Sequence, residues 1–204
     1  MKPIVVLRRV IFVAALIIGA FRGRLTANPI DYITDTTGDW ALRFLMITLC
    51  VTPIRRITGW NPIIQLRRML GLFSFFYATL HFLTWSVLDW FFDFRSMVDD
   101  IVMRPFITLG MATFLMLLAL ASTSTKASVR RLGKKWTQLH RLIYVASITA
   151  LTHFWLVGKV LLTEVSYWAV ALTALLGFRV WWTLRTRLRA RPAPAHFDGK
   201  KSFP

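Results

Sequence analysis

The sequence predicts an all-α integral membrane protein: a bundle of six helices with both termini on the cytoplasmic side. Three observations carry this. Across 204 residues, 56% are hydrophobic and the mean hydropathy is +0.55, too apolar for a soluble domain of this length. Apolar runs long enough to approach or cross a bilayer alternate with short polar connections. The formal charge of +17 is concentrated in alternate connections, as the positive-inside rule requires of cytoplasmic loops.

The first run, 4–21, sits behind Lys2 and carries Arg8 and Arg9, whose long side chains can snorkel to the interface. It resembles the charged and apolar regions of a signal peptide, but no small-x-small site follows, so it is expected to be retained. The connection containing Asn28, Pro29, Asp31 and Asp35 has turn composition. Trp40 opens the second run, 40–54, which contains Arg43 and is closed by Pro53. The loop from Arg55 to Arg68, with Gly59, Asn61 and Pro62, offers a cytoplasmic docking face. In the third run, 69–88, Gly71, Ser74, Ala78 and His81 share one helical sector, a small-residue groove ending in an imidazole. The fourth, 105–121, is an apolar wall that ends in the polar stretch Ser122 to Lys126. The fifth, 136–158, carries His140 and His153, with Ala146, Thr149 and Ala150 on the sector of His153. The sixth is 166–184. Residues 1–184 therefore form the transmembrane domain and 185–204 a basic cytoplasmic tail, in which His196 is solvated. Trp85, Trp90, Trp136, Trp155, Trp168, Trp181 and Trp182 fall near span ends, as an aromatic belt requires.

The basic residues explain the charge without a nucleic-acid partner. Lys2, Arg8 and Arg9, the Arg55–Arg68 loop, the stretch from Lys126 to Arg141 and the tail all lie on one side. There they face anionic membrane lipid. Arg43 and Arg179 stand apart as intramembrane cations, and every acidic residue except Asp198 lies on the opposite side. Among these, Asp89, Asp93, Asp99 and Asp100 are expected to help dock a periplasmic partner. The single cysteine, Cys50, rules out an intrachain disulfide, and no Cys-x-x-Cys pair is present for an iron–sulfur cluster or covalent haem. No Gly-x-Gly-x-x-Gly appears for a nucleotide, so electrons for any redox chemistry must come from a separate donor.

An ionisable ring inside a spanning helix marks a functional site, and this sequence has three. The third and fifth runs point the same way, so depth can be compared from their basic ends. His81 and His153 lie at matching depth, and the reading is bis-histidine ligation of one haem b between them. His140 lies roughly 20 Å from His153 along the helix axis. On an ideal helix it is also rotated from His153 by about 220°, so the two share no face unless the helix bends. A second haem at His140 would need another ligand, and Arg67, Arg68 and Met69 are the residues at its depth.

These residues carry a resemblance. Arg130-Arg131-Leu132-Gly133, Trp136, Leu139-His140-Arg141-Leu142-Ile143-Tyr144 and His153 form its later part. Arg67-Arg68-Met69-Leu70-Gly71-Leu72 and Leu80-His81 form its earlier part. Together they resemble the ferric-reductase-like transmembrane family over nearly the whole chain. The resemblance implies a six-helix cytochrome b of the bacterial inner membrane. It further implies electrons taken from the quinone pool or a flavin donor, and handed to a periplasmic molybdopterin methionine sulfoxide reductase subunit. FMN is also implied, although no motif locates it. Relatives with two complete haem sites carry two histidines on the third span, where this sequence has one. A self-contained ferric reductase is the nearest alternative. A small transporter fits less well, because the third and fifth runs show no midplane Gly or Pro break.

Overall fold

The computed structural model describes residues 28–157 and 162–189, and within them every regular element is helical. The predicted first span and most of the predicted tail lie outside the described residues. In chain order the helices are α1 (Pro29–Thr58), α2 (Ile64–Leu83), α3 (Phe94–Met103), α4 (Pro105–Ser122), α5 (Lys126–Leu132), α6 (Lys134–Leu139), α7 (Leu142–Leu156) and α8 (Leu162–Arg189). Among the described residues three segments are long and apolar enough to cross a membrane: Asn61–Asp89, Pro105–Ser122 and Thr163–Leu188. They match the third, fourth and sixth predicted spans.

The other two described spans differ for identifiable reasons. The connection expected around Asn28 to Asp35 is instead the start of α1. Asn28 caps it through Oδ1 to the Asp31 N–H, Pro29 supplies a pre-set φ, and Asp31 complements the helix dipole. The helix is long, but Asp39, Arg43, Arg55 and Arg56 lower its hydropathy. At its far end Gly59 takes φ 70° and returns its N–H to the Arg55 carbonyl. The fifth predicted span is not continuous. The helix stops at Leu139, turns through His140 and Arg141, and restarts at Leu142. The 15 residues of α7 extend roughly 22 Å, short of a ~30 Å hydrocarbon core. The last helix continues through Arg185 and Arg187 to Arg189, past the predicted end at 184.

α1 is the hub. Its Leu42, Leu45, Met46 and Leu49 pack with Leu117 of α4, Ile143 and Ala146 of α7 and Leu172 of α8. Contacts concentrate within two antiparallel pairs, α1 with α2 and α4 with α7, and are sparse between the pairs. The small-residue sectors close these pairs. Ser74 is wholly buried and donates to the Ala41 carbonyl at 2.9 Å, and a side chain on Gly71 would meet Thr48. In the other pair Thr149 and Thr113 share a hydrogen bond of 2.7 Å, and Ala146 is wholly buried. The small residues below each histidine thus let the paired helices approach closely.

Beyond α2 the chain forms a π turn, Thr84–Asp89, then reverses through Phe91 (φ 47°) and Phe92 (φ 61°) into α3. A buried carboxylate fastens this region. Asp100 Oδ2 accepts from the indole N–H groups of Trp85 and Trp90, each at 3.2 Å, while Oδ1 pairs with Arg104 Nε at 2.9 Å. The aspartate expected to meet a partner is thus occupied inside the fold, and two of the belt tryptophans serve it. Asp89, Asp93 and Asp99 remain exposed. Asp93 caps α3, and its hydrogen bond from the Ser96 hydroxyl holds its carboxyl below the ordinary range. Asp100→Ala should leave both indoles and Arg104 without their acceptor, at a cost of about 3 kcal/mol. The expected result is a lowered thermal midpoint and faster proteolysis between residues 90 and 104, with Asp99→Ala unchanged. Equal behaviour of the two variants would refute this role for Asp100.

Candidate functional site

His81 near the end of α2 and His153 near the end of α7 come together, their ring centroids 6.0 Å apart and their planes inclined by 78°. Each ring is fixed through Nδ1 to a main-chain carbonyl of its partner helix. His81 Nδ1 lies 2.9 Å from the Thr34 carbonyl of α1, and His153 Nδ1 lies 2.6 Å from the Phe106 carbonyl of α4. A carbonyl only accepts, so each Nδ1 carries the proton and each Nε2 is left with its lone pair. Neither Nε2 has a hydrogen-bond partner among the described residues.

The two halves repeat one another. In both, 47 residues separate the carbonyl from its histidine. One turn past each carbonyl stands a glycine against the ring. A Cβ on Gly38 would lie 3.1 Å from His81 Cε1 and Nδ1, and one on Gly110 would lie 2.9 Å from His153 Cε1 and 3.0 Å from its Nδ1. At Gly110 only a hydrogen fits, and at Gly38 a methyl would press on the ring. Sequence reasoning overlooked these glycines, although a signal was present: Thr36-x-Gly38 and Thr108-x-Gly110 each precede, at equal spacing, Ala-x-x-His-Phe at Ala78 and Ala150. The phenyl rings of Phe75 and Phe82 stack on Phe114, at 6.0 and 4.7 Å, and join the two halves beside the histidines.

His140 is not part of this group. It lies in the turn between α6 and α7, toward the end of the bundle where Arg55, Arg56, Arg67 and Arg68 cluster in sequence. Its ring stacks on Trp136 at 3.8 Å, and its Nδ1 is 3.1 Å from the Trp136 carbonyl. Trp136 in turn donates to the Thr123 carbonyl at 3.0 Å. Of the proposed neighbours, Arg67 is half-buried and its charge reaches His140, Met69 is half-buried, and Arg68 is exposed. Among the described residues no group of three His, Cys, Asp or Glu could hold a metal ion. The histidine pair is a two-ligand arrangement.

The model of the ferric reductase like transmembrane component matches residues 37–151. The chain belongs to the ferric-reductase-like transmembrane family. The matched region of this family member takes in Gly38, His81, Gly110 and His140, and ends just before His153. Among its relatives, a protein of Ralstonia nicotianae is 50% identical over 85% of this chain and 81% of its own length. One of Herminiimonas arsenicoxydans is 45% identical over 89% and 87%, and one of Bordetella pertussis 43% identical over 90% and 94%. All three are named protein-methionine-sulfoxide reductase heme-binding subunit MsrQ. No solved structure matches.

Proposed function

We propose that this chain is a membrane cytochrome b that relays electrons from the quinone pool or a flavin donor to a molybdopterin methionine sulfoxide reductase on the periplasmic side. The observation that carries the reading is the pair His81 and His153. His81 and His153 would hold the haem iron: their ring centroids are 6.0 Å apart, and each ring keeps an Nε2 lone pair without a hydrogen-bond partner among the described residues. Their donor chemistry fits as well. Metal-bound histidines commonly donate the other ring N–H to a carbonyl or carboxylate, which fixes the tautomer and makes the free nitrogen more basic. Haem held this way supplies one-electron transfer between ferric and ferrous iron.

The chain's own groups orient and enclose. The Thr34 and Phe106 carbonyls aim the rings, Gly38 and Gly110 give them room, and the Phe82–Phe114 stack at 4.7 Å keeps the flank apolar. The relatives' names support haem as the cofactor and the methionine sulfoxide reductase system as the setting. The basic segments support a bacterial inner-membrane topology of six spans with the termini, His140 and Arg67 facing the cytoplasm. The histidine pair then lies toward the periplasm, where a sulfoxide-reducing partner would receive electrons. The alternative of a self-contained ferric reductase predicts a different acceptor.

The deciding experiment reduces the purified haem-loaded protein and mixes it, without oxygen, with either the relatives' reductase partner or a ferric chelate. Oxidation of the haem by the partner, with methionine formed from its sulfoxide, is the expected result. Oxidation by the chelate alone would favour the ferric reductase, and a colourless parent protein would remove both readings.

A further inference from the structure

The other end of the bundle holds a charge that the fold does not satisfy. Pro53 lies inside α1 and has no N–H, so the carbonyl one turn before it, that of Leu49, lacks its helical partner. Arg179 of α8 fills the vacancy, donating from Nη2 to the Leu49 oxygen at 2.7 Å. The rest of the guanidinium stays unpaired. Among the described residues Nε and Nη1 have no hydrogen-bond partner; both are buried, the residue is 9% exposed, and its Cζ sits 5.0 Å over the Tyr144 ring of α7. Guanidinium cannot shed its proton in a protein, and a buried charge left without a partner is strongly unfavourable.

The surroundings add positive charge instead of removing it. Arg67 and Arg56 are near enough to act on Arg179 electrostatically, and Arg56 is itself laid over Trp182 of α8 at 5.3 Å. The chain has nine acidic residues. Asp31, Asp35 and Asp39 lie in the first part of α1, Asp89 to Asp100 beyond α2, and Glu164 at the start of α8, all toward the histidine end; Asp198 lies outside the described residues. No described carboxylate is available at this end. Among the described residues, then, Arg179 has no counter-charge.

We propose that Arg179, with Arg67 and Arg56 around it, forms a binding site for a phosphate group at the basic end of the bundle. Guanidinium groups match the oxygens of a phosphate in geometry and charge, and the charges of Arg67 on α2 and Arg56 on α1 act on Arg179 of α8. Two sources carry the chemistry: the headgroup of an anionic phospholipid and the phosphate ester of a soluble small molecule. The site is separate from the histidine pair and does not depend on what that pair binds.

The test uses the full chain in detergent, titrated with inorganic phosphate against chloride at matched ionic strength and followed by thermal unfolding. Parent protein should show a saturable rise in midpoint. Arg179→Met should weaken phosphate binding by roughly ten- to hundredfold and, without phosphate, should unfold no earlier than the parent, since it removes an unpaired buried charge. Arg67→Gln provides a second reading at a half-buried position and should also weaken the response. Native mass spectrometry of protein taken from membranes separates the sources, by a retained phospholipid or a retained soluble phosphate ester, either of which Arg179→Met should lose. A parent that does not respond to phosphate and retains no such molecule, while Arg179→Met unfolds early, would show that Arg179 serves only the Leu49 carbonyl and would overturn the proposal.

Discussion

His153→Ala will leave the protein with less than a tenth of its haem at the histidine pair, and His81→Ala will do the same. The two rings are the only imidazoles at that end of the described bundle, and each is held by one carbonyl from one helix. Removing either leaves a single ligand on one side and a void on the other, because Gly38 and Gly110 offer no side chain to fill it. Haem quantified per chain, with oxidised and dithionite-reduced spectra, reads the outcome. His140→Ala is the control, since its ring is stacked on Trp136 at the opposite end. It should spare the low-spin spectrum of the pair, and any haem it does lose reports a second site. A low-spin spectrum undiminished in both His81→Ala and His153→Ala would remove the ligand assignment.

Gly110→Ala should weaken haem binding by roughly 10- to 100-fold, the usual cost of disturbing a group that orients a metal ligand. The argument rests on opposed signs. Within a helix, exchanging glycine for alanine favours the helix by about 1 kcal/mol. The new methyl would nevertheless lie 2.9 Å from His153 Cε1 and 3.0 Å from Nδ1, closer than carbon atoms approach. The imidazole must move, and moving it breaks the hydrogen bond to Phe106. The expected signature is a haem-free protein as stable as the parent, or more so, that takes up haem poorly and shows an altered low-spin spectrum. Gly38→Ala, with a contact of 3.1 Å, should show the milder form. Parent-like loading and spectra in Gly110→Ala would refute the steric role.

The pairing of His81 with His153 was legible in sequence because both sit on apolar runs of common direction, and distance from a basic end measures depth. The small sectors beneath them were legible as faces but not as to purpose, since glycine and serine suit a helix interface and a ligand slot equally. Ser74 bonding to Ala41 shows the interface use. The atoms that aim the histidines are main-chain oxygens of Thr34 and Phe106, and a carbonyl leaves no trace in residue type. The turn at His140 was hidden because Leu139, His140, Arg141 and Leu142 include no proline or glycine. By contrast Asn28, Pro29 and Asp31 carried a helix start in plain form, as cap, first-turn proline and dipole partner, and were read as a loop on composition alone. Arg179 stood out as an intramembrane cation, but its tie to Leu49 depends on a proline 126 positions earlier in the chain leaving a carbonyl open.

The division of contacts into two helical hairpins has a mechanical consequence. Each hairpin already contains its own histidine, the oxygen that orients it and the glycine that admits it, so each half-site is complete before the halves meet. Among the described residues, the stacking of Phe75 and Phe82 on Phe114 joins them near that end. A ligand gripped by both imidazoles would therefore act as a crosslink as well as a redox centre, and its binding energy would count directly toward assembly of the bundle. Insertion of the cofactor and completion of the fold would then become one event. Chains that never receive it would keep two well-formed hairpins joined through the α1 core but without the crosslink at the histidine end, a form that quality control in the membrane could distinguish from the finished protein.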